Sequence, residues 1–138
     1  MKLVALRAEH ILGLEDLNAF QKDVPISVEY AVSLEEGGGW AVLEGEKPIM
    51  CGGIAQSLPG CGHAWTILTR RWRRYARGIH EAVEMYLDTS DFERIESVVH
   101  CDHAAGHVWL KRLGFELECP RMRKWFNGND YALYARVR

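Results

Sequence analysis

The residues with the clearest chemical potential are five arginines within residues 70–77, placed between an apolar run and an amphipathic segment. The apolar run, residues 64–68, predicts a strand, and the segment that begins at Ile79 predicts a helix. Backbone N–H groups at such a strand-to-helix turn bind anions, and guanidinium groups add positive charge. We therefore predict a site for a phosphate-bearing ligand, formed by Arg73, Arg74, Tyr75, Ala76, Arg77 and Gly78.

The distribution of charge favours a small ligand at this turn. Residues 1–69 carry 4 basic and 9 acidic side chains, whereas residues 70–138 carry 13 basic and 10 acidic ones. Such a compact positive field suits a small polyanion better than a nucleic acid, which needs a longer basic track. Two other interpretations stay open for the arginines. One is a solvated helix start, and the other is nucleic-acid contact with base stacking on Trp72 and Tyr75.

A second group of reactive side chains lies at and just after the end of the predicted strand over residues 94–100. It consists of His100, Cys101, Asp102, His103 and His107. Successive side chains on a strand project to opposite faces, so these residues cannot all converge on a metal ion, and we predict no metal site. The imidazole of His103 is a candidate general base, with a capping or surface role as the alternative. Tyr134, in the last strand, is most simply a packed aromatic of the core or the sheet edge.

Length and composition predict one globular domain over residues 1–138, since 48% of the residues are hydrophobic and 26% are charged. No apolar run approaches the ~20 residues that cross a bilayer, and the N-terminal apolar stretch is too short for a signal peptide. The four cysteines are widely spaced and form no Cys-x-x-Cys pair, which is typical of reduced thiols. We therefore expect a cytoplasmic protein without a membrane partner.

Hydrophobic periodicity predicts the elements that position these residues. The strand over residues 63–69 should run parallel to the strand over residues 94–100, because a helix connects them as a crossover. The predicted fold class is α+β: a central mixed, mostly antiparallel sheet with one parallel strand pair and helices on both faces. The other predicted strands are residues 3–6, 40–43, 49–55 and a C-terminal hairpin turning at 127–129, and the predicted helices are residues 11–20, 28–34, 73–88 and 104–113.

This order of elements resembles the GCN5-related N-acetyltransferase (GNAT) family over nearly the whole chain. Family members bind the pyrophosphate of acetyl-coenzyme A at a Gln/Arg-x-x-Gly-x-Gly/Ala turn, and residues 73–78 match it except that Ala76 replaces the first glycine. Members often carry Asn, then Ala three residues on, then Tyr, and then Leu-Gly-Phe. Leu110 stands where that tyrosine protonates the departing thiolate. The corresponding residues here are His103, Gly106, Leu110, Leu113, Gly114 and Phe115.

The resemblance implies an acyl-coenzyme A-dependent N-acetyltransferase with acetyl-coenzyme A as co-substrate and an unidentified amine, on a small molecule or a protein, as acceptor. Backbone groups of Ile67, Leu68 and Thr69 would hold the pantetheine arm like an added strand, with the thioester between the splayed parallel strands. The amine would attack the thioester directly, with His103 or a water relay taking its proton. Tyr134 would be the candidate general acid in place of the tyrosine that Leu110 replaces, with packing as the alternative role.

A second similarity is to small acetyltransferase-like proteins of tailed phages of the T7 type, some of which are internal virion proteins. It rests on the short length, on Leu110 and on the glycine-poor basic turn. It implies an alternative: a catalytically degenerate phage protein that keeps the fold, acts on virion partners and resides in the host cytoplasm or the virion.

Overall fold

A computed structural model describes all 138 residues as seven strands, four α-helices and two 3-10 helices. The strands are β1 (Lys2–Ala5), β2 (Trp40–Glu44), β3 (Lys47–Leu58), β4 (Cys61–Leu68), β5 (Arg94–His100), β6 (Glu116–Phe126) and β7 (Asn129–Val137). The α-helices are α1 (Ala8–Leu12), α2 (Val28–Glu36), α3 (Ala76–Asp88) and α4 (Ala104–Arg112), and the 3-10 helices are Ala19–Gln21 and Arg70–Tyr75. None of these helices combines the length and the apolar character needed to cross a membrane.

The seven strands form one sheet in the order β1-β2-β3-β4-β5-β7-β6. Strands β4 and β5 are parallel, with Cys61 opposite Arg94 and His63 opposite Glu96, as the crossover predicts. The pairs β1 with β2, β2 with β3, β5 with β7 and β6 with β7 are antiparallel. The predicted α+β class, with a mixed sheet and one parallel pair, is therefore confirmed.

The chain divides into two compact units, one made of Met1–Ala55 and Ala64–Ile79 and the other of Gln56–His63 and His80–Arg138. The single domain over residues 1–138 stays a prediction. The first unit has its own apolar core, and burial there raises the pKa of the Cys51 thiol to about 12. In the second unit, Trp109 Nε1 of α4 donates to His80 Nδ1 of α3 over 3.1 Å. The core of the first unit contains Leu6, Ile11, Ala31, Ala41, Cys51 and Ile67.

The prediction of one helix over residues 11–20 was wrong, because only Ile11 and Leu12 belong to α1 and only residues 19 and 20 belong to the 3-10 helix Ala19–Gln21. Helix α1 ends at Leu12, and Asp16 adopts a left-handed φ of 57°, which a right-handed helix cannot continue. Leu17 forms an isolated antiparallel bridge with Thr69 at the end of β4. The three-residue apolar repeat therefore reflects packing of an irregular segment against the core of the first unit.

Helix α4 ends as its sequence predicts. Gly114 adopts a φ of 89°, its N–H bonds to the carbonyl of Lys111, and the N–H of Phe115 bonds to the carbonyl of Leu110. These two bonds form a Schellman motif, in which the residue after the glycine folds back onto the helix. Phe115 is accordingly buried, with 3% of its surface exposed. This ending sets the direction in which the chain enters β6.

Replacing Gly114 by alanine tests this ending. Gly114→Ala should lower the free energy of unfolding by about 1–2 kcal/mol, because a Cβ atom disfavours a left-handed backbone. The added Cβ would also lie 3.2 Å from Nε of Arg136. Gly37→Ala is the matched control, since Gly37 follows α2 with an ordinary φ of −73°. Urea denaturation of both variants measures the difference, and equal losses would contradict a conformational role for Gly114.

Candidate active site

The arginine-rich segment is helical and not the open turn that its sequence suggests. The 3-10 helix Arg70–Tyr75 runs directly into α3, and Thr69 caps it by accepting the N–H of Arg71 on its hydroxyl at 3.3 Å. Beyond the first turn of a helix, each N–H donates to the preceding turn, as the N–H of Ala76 does to the carbonyl of Arg73. The N–H of Ala76 is thus used within the helix, and the binding of a phosphate group by residues 73–78 stays a prediction.

A carboxylate that sequence reasoning missed organises one side of this segment. Glu44, the last residue of β2, accepts from Arg71 Nε at 2.7 Å and from the Tyr75 hydroxyl at 2.8 Å. Arg74 Nη1 lies 3.9 Å from the same carboxylate. The hydrogen bond from Tyr75, together with those from Arg71, lowers the pKa of Glu44, and the same bond raises the pKa of Tyr75. Glu44 therefore stays ionised and neutralises part of the arginine cluster.

The guanidinium groups of Arg73 and Arg74 are exposed to an external anion. Arg73 is exposed and makes no side-chain hydrogen bond or ion pair. Arg74 has 72% of its side chain exposed, and its contact with Glu44 is beyond hydrogen-bond distance. Arg71 is held by two short bonds, and Arg70 Nε lies 3.6 Å from Asp16. The charge available to a ligand is therefore smaller than the sequence suggests.

The predicted pantetheine site at the end of β4 is buried, and its backbone groups already have partners. The carbonyl of Leu68 accepts the N–H of Asn18 at 2.8 Å, and the N–H of Leu68 donates to Gln21 Oε1 at 2.8 Å. The N–H and the hydroxyl of Thr69 both donate to the carbonyl of Ile49, at 3.1 and 2.7 Å. Ile67, Leu68 and Thr69 are all buried, and their binding of the pantetheine arm stays a prediction.

The candidate base His103 lies in the second unit, as the N-cap residue of α4. Its side chain makes no capping hydrogen bond, and its ring lies against Gly106. A Cβ atom at position 106 would approach His103 Nδ1 to 2.8 Å and Val99 Cγ2 to 2.6 Å. A methyl group at position 106 would therefore require both Val99 and His103 to shift, and the glycine avoids this conflict.

The candidate acid Tyr134 also lies in the second unit and is paired with His107. Its hydroxyl lies 2.6 Å from His107 Nδ1, and His107 Nε2 lies 3.1 Å from the carbonyl of Cys101. A carbonyl only accepts, so Nε2 carries the proton and Nδ1 accepts the proton of Tyr134. Tyr134 is only 1% exposed, and burial raises the pKa of its phenol.

This pairing limits what Tyr134 can do chemically. A hydroxyl has one proton, and that proton is directed at His107. Tyr134 can donate to another group only when His107 is protonated on both nitrogens and donates to the phenol oxygen instead. From the sequence, His107 was considered only as a metal ligand, and its contact with Tyr134 was missed. No three His, Cys, Asp or Glu side chains lie where they could together bind a metal ion.

Removing the hydroxyl of Tyr134 should destabilise the protein. Tyr134→Phe leaves His107 Nδ1 without its donor, at a cost of about 1–3 kcal/mol. Tyr86→Phe is the control, because Tyr86 is half-buried on α3 and its hydroxyl has no hydrogen bond. Thermal denaturation of both variants gives the comparison. If both changes have the same small effect, the contact between Tyr134 and His107 contributes nothing to stability.

No protein-family model matches the sequence, and no curated protein matches it either. Solved structures do match over almost the full chain. An N-acetyltransferase from Staphylococcus aureus Mu50 has a TM-score of 0.77 at 8% identity, with 99% of this chain and 96% of that chain covered. The ribosomal-protein-S18-alanine N-acetyltransferase from Escherichia coli has a TM-score of 0.76 at 16% identity, with 99% and 92% covered.

A spermidine N-acetyltransferase variant from Vibrio cholerae has a TM-score of 0.67 at 14% identity, with 99% of this chain and 95% of that chain covered. Similarity at these identities establishes the architecture. It agrees with the seven-stranded mixed sheet and its single parallel pair. The chain therefore has the fold of the GCN5-related N-acetyltransferases.

Proposed function

We propose that the protein is an acetyl-coenzyme A-dependent N-acetyltransferase that acetylates an amine. The fold it shares with N-acetyltransferases over almost the whole chain supports this function. The observation that carries the proposal is the pair of exposed guanidinium groups on Arg73 and Arg74, at the start of the helix that follows β4. Residues 73–78, which include both arginines, match the pyrophosphate-binding turn of the GNAT family.

The pyrophosphate would be bound mainly by side chains. Because residues 73–78 lie in a continuous helical segment, in which the N–H of Ala76 bonds to the carbonyl of Arg73, the guanidinium groups would supply most of the donors. Guanidinium groups bind phosphate oxygens in a bidentate manner, and charge-assisted hydrogen bonds of this kind are about twice as strong as neutral ones. Ala76 is compatible with this mode, since it need not allow the close backbone approach that a glycine would provide.

The chemistry requires one base and one acid. The acceptor nitrogen attacks the thioester carbonyl carbon, the C–N bond forms, and the C–S bond breaks to release the coenzyme A thiolate. His103 is our candidate for taking the proton from the amine. Leu110 is a core residue and has no proton to give to the thiolate. The thiolate would therefore be protonated by Tyr134, with a doubly protonated His107 behind it, or by water.

A second candidate function is that of a catalytically degenerate protein that retains the fold as an interaction component, for example in a phage virion. The observation that favours it is Leu110, which is buried with 9% exposure at the position of the usual acid. The hydrogen bond between Tyr134 and His107 also favours it, because this bond uses the only proton of the phenol. Binding of coenzyme A separates the two candidates, because an interaction protein has no need of it.

Coenzyme A should stabilise the protein, and Arg73 should be required. Ligand at 100 times its dissociation constant adds about 2.7 kcal/mol of stability, which a thermal-shift measurement detects. Arg73→Glu should abolish the shift, because it replaces a free cation by an anion at the pyrophosphate. Arg123→Glu is the control, with the same change of charge at an exposed position on β6. No shift of the wild type at millimolar coenzyme A would reject the enzyme and leave the interaction protein.

Turnover should be detectable and should depend on His103. Incubation with acetyl-coenzyme A and a panel of amines, followed by mass spectrometry, should show products heavier by one acetyl group. His103→Ala should lower kcat by about 100-fold or more, which is the ordinary contribution of a general base. Unchanged kcat in this variant would remove His103 from the mechanism and leave a water relay as the base.

A further inference from the structure

The edge of β4 that faces away from β3 is covered by the protein's own chain. Alternate residues of a strand direct their backbone groups to opposite sides, and Thr69 points to β3 through Ile49. Leu68 and Arg70 therefore point the other way. There the N–H of Asn18 bonds to the carbonyl of Leu68, and the N–H of Arg70 bonds to the carbonyl of Asp16.

The side chain of Gln21 extends this covering along the strand. Gln21 Nε2 donates to the carbonyl of Thr66 at 2.6 Å, and the N–H of Leu68 donates to Gln21 Oε1 at 2.8 Å. One carboxamide thus makes the two hydrogen bonds that the backbone of an added strand would make. Both distances are within hydrogen-bond reach, so the carbonyl of Thr66 and the N–H of Leu68 are paired within the protein.

Gln21 places an amide group at this edge, and the expected ligand, coenzyme A, also contains amide groups. The pantetheine arm of coenzyme A contains two amides, each with one N–H donor and one carbonyl acceptor. The N–H of one pantetheine amide and the carbonyl of the other can therefore together replace the two hydrogen bonds of the Gln21 carboxamide to Thr66 and Leu68. Because the exchange conserves hydrogen bonds, the arm gains little from them as long as Gln21 competes.

We propose that the Gln21 side chain is an internal stand-in for the amide groups of the pantetheine arm, and that this side chain must leave β4 before acyl-coenzyme A can bind there. The inference rests on the proposed function, since it takes acyl-coenzyme A as the ligand. It makes Gln21 a specificity-determining residue. A thioester whose arm carries an amide can displace the side chain, whereas an apolar thioester would leave Thr66 and Leu68 without partners.

The test compares two ligands on two glutamine variants. Gln21→Met keeps the length of the side chain but cannot make either bond, and Gln56→Met is the matched control at an exposed position on β3. Calorimetry measures the dissociation constants of coenzyme A and of adenosine 3′,5′-diphosphate, which lacks the pantetheine arm. Gln21→Met should bind coenzyme A about tenfold more tightly, equal to 1.4 kcal/mol. The affinity for the diphosphate, and both affinities of Gln56→Met, should not change.

The outcomes separate the inference from the proposed function. Equal or weaker binding of coenzyme A by Gln21→Met, with the diphosphate still bound, would overturn the inference alone. Failure of the wild type and both variants to bind either ligand would overturn the proposed function, and the inference with it. Gln21→Asn is a second variant in case Gln21→Met folds poorly. Its side chain is one methylene too short to reach Thr66, and it should show the same selective gain.

Discussion

One buried threonine fixes the start of the helix that carries the candidate phosphate-binding side chains. Thr69 is 2% exposed, its N–H and hydroxyl donate to the carbonyl of Ile49, and its hydroxyl accepts the N–H of Arg71. The donor and the acceptor of the hydroxyl are thus both used. The end of β4, strand β3 and the first helical turn are joined through a single side chain. The direction of Arg73 and Arg74 depends on that junction.

The local sequence signals predicted the sheet and the helix endings well. The Gly114-Phe115 ending and the hairpin turn at Asn127 and Gly128 were correct, because each is determined by the φ of a few adjacent residues. The helix over residues 11–20 failed, because a three-residue apolar repeat does not distinguish a helix from an irregular segment packed against a core. The left-handed Asp16 lies in that segment.

The arginines of the candidate site were predictable from the sequence. The side chains of Glu44 and Gln21, which form hydrogen bonds to Arg71 and to the backbone of β4, were not. Glu44 lies 27 residues before Arg71 in the chain, and Gln21 lies 47 residues before Leu68. Neither residue belongs to a motif, and only the folded sheet brings them to their partners. As a consequence, the protein satisfies its own polar groups without a ligand. No buried side-chain nitrogen or oxygen lacks a hydrogen-bond partner.

The contact between His103 and Gly106 has a consequence for how departures from a family pattern are interpreted. A Cβ atom at position 106 would meet the His103 ring at 2.8 Å and Val99 Cγ2 at 2.6 Å. The histidine at one position and the glycine at the other therefore cannot be considered separately. Restoring alanine alone would produce a steric conflict with both side chains, and replacing His103 as well would relieve only one of the two, so Val99 would have to shift too.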